Sequence, residues 1–176
     1  MKTVDEQYLE KRATLDTIYR SIQDDDFIVV GLGGSEPIPI LENLHVVHAL
    51  GVRGCELSNT LPMGNYELFK NPLYKEAIHV NGWFYTGPMR SQHSQGHLSF
   101  QPQHLHRALD KRLDAMAGRR KVLLAVASPM DQHGYLSLSI GNTYEMQLIR
   151  SGDVHVILEV SPHFPRTFGD NCVHIS

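Results

Sequence analysis

Hydrophobic and polar positions follow two rhythms along this chain. Val122 to Ala127 is an unbroken apolar run of strand length, and it empties into Ser128, Pro129, Asp131 and Gly134, residues that favour turns. Strands buried on both faces read as continuous apolar runs because helices cover each side, so the run predicts a parallel sheet in an α/β fold. Around it the rhythm alternates. Tyr8, Leu15, Ile18, Tyr19 and Ile22 recur at helical spacing from Asp5 onward and predict an amphipathic first helix, interrupted by Asp24 to Asp26. Phe27 to Val30 reads as the first strand. Ser35 is placed to cap a helix with Pro37 in its first turn and Ile40, Leu41, Leu44, Val47 and Leu50 on its buried side.

The later elements repeat the alternation without a sequence repeat. Strands are expected at Cys55 to Leu61, Ile78 to Tyr85, Leu98 to Phe100, Leu136 to Leu138 and Val154 to Val160. Between them, Tyr66 to Tyr74 is a short helical or irregular connection and Arg90 to Gln95 a short helix. Longer helices are expected from Pro102 to Met116 and from Asn142 or Thr143 to Arg150. The fold class is therefore α/β, a mostly parallel sheet with helices on both faces. No linker or shift in composition divides residues 1 to 176, which read as one domain.

Composition narrows the function classes. The formal net charge is −3 and no basic run is long enough to follow a phosphate backbone, so nucleic acid is not expected as a partner. No apolar stretch is long enough to span a bilayer and the N-terminus lacks a signal-peptide core, so no membrane partner is expected and the expected location is the cytoplasm. Cys55 and Cys172 are far apart with no CxxC partner and read as buried, reduced thiols. The eleven histidines include the pairs His45 and His48, and His104 and His106, but no HExxH and no carboxylate triad, so no metal site is expected.

Candidate chemistry gathers where the strands end. Parallel strands would bring five loops to one edge: Gly31 to Pro37, Pro62 to Asn65, Thr86 to Arg90, Ser128 to Gly134, and Ser161 to Arg166. The substrate-pocket candidates are Gly33, Gly34, Ser35, Glu36 and Pro37 in the first loop, with Gly64 and Asn65, Gly87 and Pro88, and Ser128 and Pro129 in the next three. Glycine admits a ligand close to the backbone, and amides opening a helix favour an anion. The first loop, GLGGSEP, nevertheless has neither the third glycine of GxGxxG nor the GK[ST] of a P-loop. Asp131 and His133 could form an acid/base pair, although polar residues after a strand more often satisfy loop amides. Ser128 lacks the GxSxG elbow of a hydrolase nucleophile. Glu36 reads as a first-turn helix residue and Glu159 as a solvent-facing strand residue.

Four stretches carry a resemblance: GLGGSEP (31 to 37), LPMGNY (61 to 66), SPMDQHGY (128 to 135) and VILEVSPHFPRTFGD (156 to 170). In this order they resemble the N-terminal half of the acetyl-CoA hydrolase/transferase family, which includes 4-hydroxybutyrate and butyrate CoA-transferases. The resemblance implies a CoA-transferase-like (NagB/RpiA-like) α/β domain that meets a second such domain across acyl-CoA and small-carboxylate substrates, with coenzyme A thioester as substrate and no tightly bound cofactor. It implies further that the glutamate nucleophile, which forms a glutamyl-CoA thioester, and the glycine-rich CoA segment lie in the second half, whose residues this chain lacks. No catalytic residue is therefore expected here. This chain would supply one wall of the pocket, would be inactive alone, and would leave apolar surface around Phe164 and Phe168 that favours a homo-oligomer. The alternative is a free-standing binding or assembly module that keeps the fold without the chemistry.

Overall fold

The computed structural model describes residues 2–176. Its helices are α1 (Val4–Lys11), α2 (Leu15–Ser21), α3 (Ile38–Asn43), α4 (Glu67–Lys70), α5 (Gly87–Gln92), α6 (Ala108–Ala115) and α7 (Glu145–Arg150). The strands are β1 (Phe27–Val30), β2 (Cys55–Asn59), β3 (Ile78–Gly82), β4 (Leu98–Phe100), β5 (Lys121–Ala127), β6 (Tyr135–Ser137), β7 (Val154–Val160) and β8 (Cys172–His174). Six of them form a sheet in the order β4-β3-β2-β1-β5-β7, every pairing parallel. β6 and β8 form a separate antiparallel pair.

The sheet is covered on both faces. Ile28, Val30, Leu57, Val80 and Leu124 point to one side and pack with Tyr19, Leu41, Leu44 and Phe69. Phe27, Val29, Leu123 and Ala125 point to the other and pack with Trp83, Met116, Tyr144 and Leu148. Val122 to Ala127 is buried throughout. It lies between β1 and β7, one strand in from the edge, while β1 and β2 hold the middle.

Element boundaries depart from the sequence reading for local reasons. The single first helix is two helices. Thr3 opens α1 in a capping box with Glu6, and Thr14 Oγ1 accepts the Thr17 amide at 3.2 Å to open α2, so the chain restarts at 14 with extended residues between. The aspartate run is used to close the amino-terminal edge of the sheet: Asp26, fully buried, receives Arg120 through both oxygens at 2.8 and 2.6 Å. β2 ends at Asn59 and β3 at Gly82, short of Leu61 and Tyr85, because the loops bond to each other, Phe84 N to Thr60 O at 2.9 Å. The helix expected from Pro102 starts at Ala108 after a 3-10 turn at Leu105–Arg107, and the one expected at Asn142 or Thr143 starts at Glu145. β8 has only three residues, too few to leave a periodic signal.

β1 is the switch point. β2, β3 and β4 build out to one side of it and β5 and β7 to the other, so the crevice beyond the carboxyl ends of β1 and β5 is where such a sheet holds ligands.

Candidate functional site

The loop leaving β1 crosses that crevice. Gly31 N donates to Leu124 O at 2.8 Å, which fixes the exit to β5. Gly33–Ser35 then forms a 3-10 turn, closed by Ser35 N to Leu32 O and Glu36 N to Gly33 O, and Pro37 takes the N-cap position before α3. Ser35 is thus not the helix cap, and Glu36 is not in the first turn: both precede the helix because the 3-10 turn occupies the residues that would have been its start. Ser35 Oγ is buried without a partner against Gly141, where an added Cβ would lie 2.1 Å from it. The amides of Gly33 and Gly34 donate to no protein acceptor among the described residues, and Gly34 is exposed.

Glu36 ties this loop to the next. Its side chain, 5% exposed, accepts Asn59 Nδ2 on Oε1 at 2.5 Å and both Met63 N and the Tyr66 hydroxyl on Oε2 at 3.0 Å. Burial first, and the Glu36 charge second, push the Tyr66 phenol well above its ordinary pKa, so it stays a donor. Gly64 sits beneath the same ring, where a Cβ would fall 2.3 Å from Tyr66 Cζ. The first two loops therefore form one braced unit.

On the opposite face a second carboxylate braces the same turn. Glu145, fully buried, accepts Leu32 N at 3.1 Å on one oxygen and Thr143 N and Tyr144 N at 2.7 and 2.9 Å on the other. Burial raises its pKa, against the pull of those amides. Next to it, the Arg112 guanidinium is 1% exposed and lies between the rings of Trp83 and Tyr144, 4.1 and 4.0 Å from their centroids. Its Nε donates to Ser58 Oγ at 3.1 Å and its Nη2 to Thr60 Oγ1. The Tyr144 hydroxyl donates to Val30 O at 2.8 Å. Burial pushes the Tyr144 phenol up to about 12 and lowers the Arg112 pKa. No carboxylate lies within 4.0 Å of this guanidinium among the described residues. Burial strips the hydration of this cation, and the nearby Glu145 carboxylate offsets that cost only from beyond ion-pair distance.

The remaining candidates divide. Asn65 and Gly87 are exposed, Pro88 is half-buried, and Gly87 and Pro88 open α5. Ser128 is buried and accepts Ser137 N at 3.1 Å, so it staples β5 to β6, and Pro129 is exposed. Asp131 takes the loop-bracing role: it accepts the amides of His133 and Tyr135 at 2.9 Å and pairs with Arg166 at 2.6 Å. The Tyr135 amide above all, then the His133 amide and Arg166, hold its carboxyl below the ordinary range. Glu159 is not solvent-facing. It is half-buried, its Oε2 has no partner among the described residues, and burial raises its pKa. Among the described residues no three His, Cys, Asp or Glu side chains converge as metal ligands.

Every oxygen of Glu36 and Glu145 is thus committed to holding backbone or side-chain donors. They set loop geometry, and the Gly33 and Gly34 amides are left without a protein acceptor among the described residues, Gly33 buried and Gly34 exposed. Sequence reasoning missed Asn59, Thr60, Tyr66, Arg112, Tyr144 and Glu145. One signal was available: Arg112 lies one helical turn after the inward-facing Ala108 and so shares its buried side.

Comparison with known proteins finds relatives of the chain. The chain is 32% identical over 143 residues to a succinyl-CoA:cyclohexane-1-carboxylate CoA transferase of Geobacter metallireducens, a match covering 80% of this chain and 32% of that protein. It is 27% identical over 176 residues to a 4-hydroxybutyrate coenzyme A transferase of Clostridium kluyveri, covering 98% of this chain and 39% of that one. The crystal structure of RipA from Yersinia pestis superposes with a TM-score of 0.85 at 25% identity, over 99% of this chain and 41% of that chain. The chain spans about a third to two fifths of the length of these relatives. Residues 1–176 match the model of the acetyl-CoA hydrolase/transferase N-terminal domain, and the chain belongs to that family.

Proposed function

We propose that this chain is the N-terminal domain of an acyl-CoA:carboxylate CoA-transferase or acetyl-CoA hydrolase and forms one wall of the acyl and carboxylate pocket. The observation that carries the reading is the use of two buried glutamates, Glu36 and Glu145, to brace the glycine turn from opposite faces while the Gly33 and Gly34 amides stay free. Free amides at a switch-point crevice suit the carboxylate or thioester oxygen of the substrate, where charge develops during acyl transfer. Neither of these two glutamates is free to attack a thioester, and the family resemblance assigns the nucleophile, with most of the CoA site, to a second α/β domain. CoA thioester is substrate and not a resident cofactor.

Apolar side chains support the need for a covering partner. Ile38, Met63, Phe84, Phe100 and Ile140 are exposed, and Phe168 is fully so. Phe164, by contrast, is 8% exposed and packs within this chain, so the expected sticky surface reduces to Phe168 and its exposed neighbours. Alone, the chain self-associates through it.

The test is Gly34→Leu in a polypeptide that joins this chain to the second domain. The Cβ position at Gly34 meets only the end of Ile140 at 3.3 Å, so the fold tolerates the change. Turnover should fall while the melting temperature holds. Unchanged kcat and KM would remove the glycine turn from the pocket.

A further inference from the structure

We propose that the Arg112 guanidinium and the Trp83 indole N–H form a subsite for one carboxylate of a small organic acid, on the sheet face opposite the Glu36 brace. The choice of carboxylate rests on the CoA-transfer reading above; the presence of an anion site stands on geometry alone.

Among the described residues two donor atoms there lack acceptors, Arg112 Nη1 and Trp83 Nε1, and both belong to side chains more than nine-tenths buried. They are neighbours, since the guanidinium stacks 4.1 Å from the Trp83 ring centroid. Nε and Nη2 donate to Ser58 and Thr60, and the two rings fix the plane of the fork. What remains is a positive charge whose nearest carboxylate, Glu145, acts on it without forming an ion pair, and two unpaired donor atoms on stacked groups. A carboxylate supplies one negative charge and two acceptor oxygens. Water would satisfy the donors and leave the charge; chloride would meet the charge without two acceptor atoms.

A surface groove of about 480 Å³ between the first turns of α6 and α7 is lined by Leu105, His106, Leu109, Thr143 and Gln147, and it touches the cluster only at Tyr144. Leu105 and Leu109 give the carbon skeleton of the acid an apolar wall. The open donors carry no accessible surface, so entry requires Tyr144 to swing or the Leu105–Arg107 turn to lift. Tyr144 is bonded to the Val30 carbonyl and adjoins Glu145, the residue that holds Leu32 N, so the subsite lies directly behind the glycine turn.

Trp83 is the only tryptophan, which makes its indole N–H resonance a dedicated reporter. The protein is titrated with acetate and succinate, and with chloride and phosphate at matched ionic strength. The expected result is a saturable shift of the indole proton with the organic acids and none with chloride. In Arg112→Met, shown folded by circular dichroism, the apparent affinity should fall by about tenfold or more, because the charged partner is lost. If Arg112→Met does not fold, Arg112→Lys, which keeps charge without the planar fork, should weaken binding measurably. An indole that does not respond, that responds equally to chloride, that prefers phosphate, or that responds unchanged in the Arg112 variant overturns the proposal. An unresponsive indole in a two-domain protein that still transfers CoA defeats the subsite alone. A saturable shift in one that transfers nothing defeats the CoA-transfer reading alone.

Discussion

Replacing Glu36 by alanine tests the brace between the first two loops. The carboxylate accepts three hydrogen bonds, from Asn59, Met63 N and Tyr66, and is 5% exposed. Truncation leaves three donors without their acceptor. A buried donor left unpaired costs about 1–3 kcal/mol, and some of that is recovered where water enters the vacated space. The expected loss is about 3–5 kcal/mol, a large fraction of the roughly 5–15 kcal/mol that holds a folded domain together. At about 2–4 °C per kcal/mol for a domain of this size, the melting temperature should drop by roughly 6–20 °C. Glu36→Gln keeps the shape and one acceptor oxygen but turns an NH₂ toward a donor, so about 1–2 kcal/mol should be lost. The assay is urea denaturation followed by circular dichroism, with the m-value checked for constancy. Alanine within about 0.5 kcal/mol of wild type, the range of an ordinary surface change, would refute the brace. So would glutamine more damaging than alanine.

Three further outcomes follow from other sites. Gly64→Ala should cost about 1–3 kcal/mol because its Cβ falls 2.3 Å from the buried Tyr66 ring, whereas Gly87→Ala, with nothing within 4 Å, should be neutral or stabilising by up to about 1 kcal/mol; paired melts check this. Burial pushes the Cys55 thiol up to about 11, so at pH 8 only about one molecule in a thousand is thiolate, and iodoacetamide with peptide mapping should label the half-exposed Cys172 and spare Cys55 in the native protein. Glu159 has a folded pKa raised by burial, so its ionisation opposes folding: the penalty is absent below the unfolded value of about 4.3 and grows as pH rises through the folded one. Glu159→Gln should therefore be more stable than wild type at pH 7 and indistinguishable near pH 4 by denaturant midpoint.

The parallel sheet was legible because burial on both faces leaves a direct mark: Phe27 to Val30 and Val122 to Ala127 are unbroken apolar runs, and both are buried strands. Helix starts were less legible. Ser35 followed by Pro37 carries the composition of a cap, but a 3-10 turn claims those residues and the cap passes to Pro37. Within the site, glycines announce where the backbone turns, and the loops they mark do gather at one edge. The residues that brace those loops are separated by long stretches of sequence, as Glu145 is from Leu32 and Arg112 from Ser58. Such long-range pairing leaves no spacing to read. Glu36 shows the same limit within one loop: its charge suggests a helix dipole partner, and only the fold brings Asn59 and Tyr66 to it.

The most direct measurement incubates polypeptide 1–176 with acetyl-CoA, with and without a carboxylate acceptor, then treats it with borohydride and maps the glutamates by mass spectrometry. With the nucleophile assigned to a second domain, and Glu36 and Glu145 committed to bracing hydrogen bonds, no turnover above background and no thioester adduct on any glutamate should be found. Turnover at the rate of an intact transferase, with a reducible CoA adduct on a glutamate of this chain, would contradict the assignment of the nucleophile to a second domain.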